Sequence, residues 1–122
     1  MLQHYKRSQS LSQSPTEIVA TLFSKCAHCV DLMGKNIKDK DYYERFVNSE
    51  KITLMLTQLM ASLNEESVET KNFSLEMKRF CYLILSYITE INQKERIDLC
   101  QKTSKLLLDM GEVWQNIKKG KA

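Results

Sequence analysis

Apolar residues recur every three or four positions in four separate stretches of the chain, and this is the repeat of one face of an α-helix. The first stretch begins at Pro15, where Ser14 and Glu17 complete a capping box and proline needs no N–H partner. It continues to about Lys38, unless Gly34 ends the helix one turn earlier. Its apolar face carries Val19, Leu22, Phe23, Cys26, Cys29, Val30, Met33 and Ile37.

A second helix start follows directly, because Asp41 and Glu44 stand three residues apart in the spacing of a capping box. The apolar face of this helix is predicted to begin at Phe46 and to end at Leu63. A polar break follows, and a third helix is predicted to begin within residues 67–72. The rest of the second apolar face consists of Ile52, Met55, Leu56, Leu59 and Met60.

The third helix is predicted to be apolar on more than one side, because Tyr82 and Leu83 lie off its main apolar face. A helix of that kind is central in a fold or keeps a face for a partner. Asn92, with Glu95 at the N3 position, predicts the start of a fourth helix. Gly111 lies inside the fourth helix, where it would permit a close helix crossing.

Four helices of similar length with short connections, and no competing strand pattern, predict an all-α fold: an antiparallel up-down four-helix bundle. The 122 residues correspond to one domain. We expect a short N-terminal arm or cap helix with its linker over residues 1–14, the bundle over residues 15–118, and a basic tail over residues 119–122.

The net charge of +3 comes from the two ends of the chain, where five lysine and arginine residues stand without an acidic neighbour. The helical body is therefore mildly acidic, and we expect no nucleic-acid partner. No apolar run approaches the roughly 20 residues that span a bilayer, so membrane insertion is not expected. The N-terminus lacks the apolar core of a signal peptide, which predicts a cytoplasmic protein.

Catalytic chemistry has little support in the sequence. The two histidines, His4 and His28, cannot be placed beside a nucleophile, and neither a glycine-rich phosphate loop nor a Glu-x-x-His pair is present. We therefore expect no enzyme activity, no catalytic residues and no cofactor.

The four cysteines are Cys26, Cys29, Cys81 and Cys100, and the first two have the spacing of a metal or redox pair. No second pair lies nearby, and residues i and i+3 share one face of a helix. We therefore interpret Cys26 and Cys29 as small apolar residues on a buried face, with no metal. A zinc site that adds Cys81 or Cys100, and a redox pair, are the alternatives.

Several short motifs occur in a characteristic order: a tyrosine in the arm (Tyr5), the helix opening at 14–19, Leu22-Phe23, the helix end at 59–64, and the spacing from Asn92 to Trp114. Over almost its whole length the chain thereby resembles the FliS family of flagellin-specific secretion chaperones. It departs from the family pattern at Ser24-Lys25, where Asp-Gly is typical, at Cys26 and Cys29, and in a third helix with fewer tyrosines.

The resemblance implies a cytoplasmic chaperone that binds the C-terminal segment of flagellin, prevents its premature polymerisation and delivers it to the flagellar type III export gate. We expect a monomer or a weak homodimer. Two other functions remain open: a helical adaptor or co-chaperone of another export component, and a thiol- or zinc-sensing bundle.

The resemblance also implies a long apolar groove for a client segment, of the helix-in-groove kind. The expected partner-binding residues lie in the arm, on the first helix and on the second helix. The arm is expected to cover part of the groove when no client is bound. These residues are Tyr5, Ile18, Leu22, Phe23, Cys26, Met55 and Leu59.

Overall fold

The structure, a computed structural model, describes residues 15–63, 65 and 67–118. Four α-helices make up this part of the chain, which contains no strand: α1 (Pro15–Asp39), α2 (Tyr42–Ser62), α3 (Val68–Lys94) and α4 (Ile97–Lys118). The predicted arm at 1–14, including Tyr5 and Ser14, and the predicted tail at 119–122 lie outside the described residues.

The helices form an antiparallel bundle in which α1 packs between α2 and α4, and α3 closes the bundle against the same two helices. Gly34, near the end of α1, faces Cys100 at the start of α4. Gly111, in the second half of α4, faces Ala20 at the start of α1. These pairings place α1 and α4 antiparallel, so the predicted fold class is confirmed.

Two of the predicted helix starts are confirmed by their caps. The backbone N–H of Glu44 donates to Asp41 Oδ1 at 3.2 Å. The backbone N–H of Thr70 donates to Ser67 Oγ at 3.1 Å, and the Ser67 N–H donates to Thr70 Oγ1, which completes a capping box at the start of α3. These bonds satisfy N–H groups that have no partner inside the helix.

The predicted start of the fourth helix at Asn92 is wrong. Asn92 lies inside α3, and its side-chain amide donates to Ser49 Oγ of α2 at 2.9 Å. The chain instead reverses at Glu95, which has a left-handed backbone (φ 52°), and α4 begins at Ile97. Asn92 cannot cap α4, because its backbone belongs to α3, which continues to Lys94, whereas an N-cap residue has a non-helical backbone.

The contact between α1 and α4 is formed by small residues, and we call it the α1–α4 seam. On α1, Ala20, Ala27 and Gly34 are buried at intervals of seven residues; on α4, Ser104 and Gly111 are buried at the same interval. A Cβ atom on Gly111 would lie 3.5 Å from the Ala20 carbonyl oxygen. The predicted close crossing at Gly111 is thus confirmed. Gly34 packs into the same seam beside Cys100 of α4. It does not end the first helix one turn early, since α1 continues to Asp39.

The apolar core lies between all four helices, and an edge-to-face contact between Phe23 of α1 and Phe80 of α3 crosses it with 5.6 Å between ring centroids. Phe46, predicted on the apolar face of α2, is instead 61% exposed. It stands one turn after the helix start, before the buried face of α2 begins. The largest fully buried side chains include Phe23, Met33, Ile52, Leu56, Ile84, Ile91 and Leu107.

A polar layer connects three helices near the α1–α2 turn. Asn48 Nδ2 of α2 donates to Asn36 Oδ1 of α1 at 2.9 Å, and the Asn92–Ser49 bond links α2 to α3. Asn48 and Ser49 are both buried. Because a shift of any helix by one turn would leave these amides without partners, the layer favours a single register.

Candidate partner-binding site

An open groove runs along the outer surface between α1 and α2, and we call it the α1–α2 groove. It contains two cavities in succession, of about 500 Å³ and about 310 Å³. The larger cavity is lined by Thr21, Ser24, Lys25, His28, Cys29, Lys51, Leu54 and Met55. The smaller is lined by Ile18, Val19, Leu22, Gln58, Leu59 and Ser62. From Ile18 to Cys29, the first and last lining residues of α1, the groove extends about 16 Å, given the rise per residue of an α-helix.

Four of the expected partner-binding residues line this groove. Ile18 is 39% exposed, Leu22 and Met55 are half-buried, and Leu59 is buried at the groove floor. Leu54 was not among the expected partner-binding residues. Its side chain is 59% exposed on the α2 wall of the groove. Leu54 precedes Met55 on the outward side of α2, and its spacing of three from Lys51 places both on one face.

Two other expected partner-binding residues, Phe23 and Cys26, lie in the core instead. Both are fully buried, and Phe23 packs on Phe80 and against Gly111 of the α1–α4 seam. Phe23 follows Leu22 by 100° of helix rotation, which turns its ring away from α2 and towards the bundle interior. Cys26, one turn further along α1, lies about 40° from the direction of Leu22 on the side of Phe23. Tyr5, the remaining candidate, lies outside the described residues.

A second groove lies on the opposite side of the bundle, between α3 and α4, and we call it the α3–α4 groove. Its cavity has a volume of about 400 Å³. Phe73 and Trp114 meet edge to face at its wall, with 5.3 Å between ring centroids. None of its residues was among the expected partner-binding residues. The position of Leu83 off the main apolar face of the third helix did, however, indicate a second apolar side on that helix. The lining consists of Phe73, Glu76, Met77, Arg79, Phe80, Leu83, Met110, Val113 and Trp114.

A family model described as "Flagellar protein FliS" matches residues 1–121. The chain belongs to the FliS family. The family is one of flagellar export chaperones and is not known as an enzyme family. A comparison with curated protein sequences finds no match. No helix of the described residues is both long enough and apolar enough to cross a membrane.

The two residues at which this FliS chain departs from the typical Asp-Gly, Ser24 and Lys25, both line the α1–α2 groove. Lys25 and Lys51 are exposed, one on each helix, and neither takes part in an ion pair within the described part of the chain. None of the described residues that line either cavity of this groove is acidic. The groove therefore joins an apolar floor to a positively charged rim.

The charges of the α3–α4 groove are balanced. Arg79 Nη1 donates to Glu76 Oε1 at 2.8 Å, and among the described residues these are the only charged side chains that line its cavity. One exposed pair one turn apart on a helix contributes little to stability. Its consequence here is that the α3–α4 groove presents no net charge to a partner.

The four cysteines of this FliS chain are buried free thiols. Burial raises the pKa of Cys26 to about 12, with the neighbouring Cys29 and Cys81 adding to the effect. Burial also raises the pKa of Cys81 and of Cys100 to about 11. Such thiols stay protonated at neutral pH, which fits small apolar residues better than reactive ones. Within residues 15–118 as described, no three His, Cys, Asp or Glu side chains are grouped to hold a metal ion.

Proposed function

We propose that this chain is a cytoplasmic export chaperone for flagellin, which binds the C-terminal segment of flagellin and keeps it from polymerising. In this proposal the chaperone then presents flagellin to the flagellar export gate. Membership of the FliS family supports the chaperone role, and the grooves of the bundle support the mode of binding. The chain acts as a monomer or a weak homodimer.

The observation that carries the proposal is the α1–α2 groove. Ile18, Leu22, Leu54 and Met55 leave apolar surface exposed along about 16 Å, where a helix or an extended segment can lie between two parallel walls. Monomeric proteins seldom expose a continuous apolar surface without using it for binding.

Two grooves suit a client that is unfolded before it binds. A disordered segment loses conformational entropy on binding, at a cost of about 2–5 kcal/mol, so it needs many apolar anchors. The α1–α2 groove and the α3–α4 groove lie on opposite sides of the bundle and offer two separate sets of such anchors. A segment that occupies both would be held apart from other flagellin copies.

The proposal is tested by mixing the purified chain with the C-terminal segment of flagellin from the same organism. We expect a one-to-one complex on sizing chromatography at micromolar concentration. No complex under these conditions would reject the proposal and favour an adaptor for another export component, which would keep the fold and bind that component instead.

A matched set of leucine substitutions assigns the binding to a groove. Leu54→Glu places a charge in the α1–α2 groove, and Leu108→Glu places the same charge on α4, at a leucine of similar exposure (50% against 59%) that lines neither groove. We expect a loss of at least tenfold in affinity for Leu54→Glu and less than twofold for Leu108→Glu. Val113→Glu tests the α3–α4 groove in the same way.

Tyr5 is proposed as the anchor of an arm that covers part of the groove before the client arrives, since its ring is apolar and its tip polar. Deleting residues 1–12 should then tighten client binding or cause self-association. An unchanged affinity and an unchanged oligomeric state would count against the covering arm, while leaving the client groove itself in place.

A further inference from the structure

We propose that the α1–α2 groove selects an acidic amphipathic helix: a client segment whose apolar stripe has Asp or Glu on both flanks, paired with Lys25 on one wall and Lys51 on the other. This inference rests on the proposed function and specifies the chemistry of the client segment that enters this groove.

Two lysines share the wall of this cavity, and none of its described lining residues is an acidic side chain that could neutralise them. Seven ion pairs link side chains of the described residues, and Lys25 and Lys51 are in none of them. Both are exposed, and exposed His28 lines the same cavity. The helical body as a whole is mildly acidic, so the positive rim is a local feature.

The two lysines stand on opposite walls of the cavity, with apolar surface between them. Lys25 belongs to α1 and Lys51 to α2, while Cys29, Leu54 and Met55 supply apolar surface to the same cavity. A helix lying in the groove would turn its apolar stripe towards these three residues. Side chains that flank the stripe would then approach one lysine each, as flanking charges do in paired helices.

The α3–α4 groove has no comparable preference for an acidic segment. Glu76 and Arg79, the only charged side chains among its described lining residues, neutralise each other within the cavity wall. Because complementary charge at a rim sets partner choice and association rate, the two grooves favour different parts of a client. The acidic part belongs in the α1–α2 groove, and an uncharged apolar part suits the α3–α4 groove.

The test compares two charge-reversed double variants of the full chain. Lys25→Glu with Lys51→Glu reverses the rim, and Lys35→Glu with Lys71→Glu makes the same change in net charge at exposed lysines that are also in no ion pair of the described residues and line neither groove. Affinity for the flagellin C-terminal segment is measured for each, and for the unsubstituted chain, at 50 mM and 500 mM NaCl.

We expect the rim variant to lose at least tenfold in affinity at 50 mM NaCl, with a smaller loss at 500 mM because salt screens exposed charges. The other double variant should stay within twofold of the unsubstituted chain at 50 mM. Replacing the flanking acidic residues of the client with lysine should restore its binding to the rim variant.

The measured affinities separate a failure of the acidic-helix inference from a failure of the proposed flagellin binding. If the unsubstituted chain binds the segment and both double variants bind equally well, the acidic-helix inference is overturned and the proposed function stands. If the unsubstituted chain binds nothing, the proposed function fails and this inference fails with it. A loss that is equal in the two variants would show a general effect of net charge, which also overturns the inference.

A second measurement locates the bound segment. Cys29 lines the cavity floor between the two lysines, so a client in the α1–α2 groove should slow alkylation of Cys29 at least fivefold. The protection should disappear in the rim variant at a client concentration that saturates the unsubstituted chain. Protection that survives the charge reversal would contradict a role for the lysines.

Discussion

Helix α1 has two neighbours, and its two sides are built differently. Against α4 it presents alanine and glycine, and a Cβ atom added to Gly111 would already be in contact with Ala20 and Phe23. Against α2 it presents longer side chains, and cavities of about 500 Å³ and 310 Å³ remain open between the helices. The α1–α4 seam therefore holds the bundle together, whereas the α1–α2 groove leaves room for a partner.

Substitutions on the two sides of α1 should therefore have different effects. Changes in the seam alter close packing and should appear in the free energy of unfolding. Changes in the groove alter side chains that face solvent and should appear in client binding.

Phe23→Ala should destabilise the chain by about 3–5 kcal/mol, because it removes a fully buried ring that packs on Phe80 and against the seam. The matched control is its sequence neighbour on the groove side, Leu22→Ala, where the side chain is only half-buried and a loss of less than half that size is expected. Urea unfolding of the unbound chain measures both. Equal losses would show that the two sides of α1 do not differ in stability.

Cys29 should react with a maleimide at pH 8 at least tenfold faster than the other three cysteines. It is the one at the groove, and although burial raises its pKa, Lys51 lowers it in part. Burial raises the pKa of Cys26 to about 12, so its thiolate is scarce.

Mass spectrometry of labelled peptides over time gives the order of reaction, and Cys29→Ser should remove the fast phase. Since the thiolate fraction grows with pH towards the raised pKa, the rate at Cys29 should increase from pH 7 to pH 9. Simultaneous labelling of all four cysteines would indicate reaction through global unfolding instead.

Thr103→Val should stabilise the chain by about 1 kcal/mol. Thr103 Oγ1 is buried on α4 without a hydrogen-bond partner among the described residues, on the helix face that also carries Cys100 and Leu107. Valine keeps the shape and removes a polar group that was taken out of water without compensation.

The control for Thr103→Val is Thr53→Val, where the hydroxyl donates to the Ser49 carbonyl at 3.1 Å and the residue is exposed. It should stay within about 0.5 kcal/mol of the unsubstituted chain in thermal unfolding. A destabilised Thr103→Val would mean that the hydroxyl has a partner after all.

Gly111→Ala should stabilise the chain by about 0.5–1 kcal/mol. A Cβ at this position would lie 3.5 Å from the Ala20 carbonyl oxygen and 3.6 Å from Phe23 Cβ, which is ordinary contact. Alanine is favoured over glycine inside a helix by up to about 1 kcal/mol. Gly111→Leu has no such space and should destabilise, and thermal unfolding of both variants tests how tightly the seam is closed.

Much of the fold could be predicted from the sequence because each helix carries its own signals. The apolar repeat defined four helices, and the caps confirm the predicted start at Asp41 and the predicted start within residues 67–72. Asn92 and Glu95 match the spacing of a helix start, but this spacing does not show that the Asn92 side-chain amide binds α2 from inside α3. Phe46 fitted the repeat of α2, yet its side chain is exposed, and the buried face at that end of α2 carries the polar residues Asn48 and Ser49 instead.

The candidate site could be predicted only in part. Leu22, Met55 and Leu59 lie along the α1–α2 groove, but Phe23 and Cys26 lie in the core. Periodicity tells which residues share a face of one helix, and the direction of that face depends on how the helices are arranged. The charged rim was missed for the same reason, since Lys25 and Lys51 are 26 positions apart and meet only in the folded bundle.

The position of Trp114 has a practical consequence for following client binding. It is the only tryptophan of the chain, and it stands in the α3–α4 groove beside Phe73. Its intrinsic fluorescence therefore reports on one side of the bundle without any added dye. Paired with a fluorophore on Cys29, it would let a single stopped-flow experiment show which groove a client fills first.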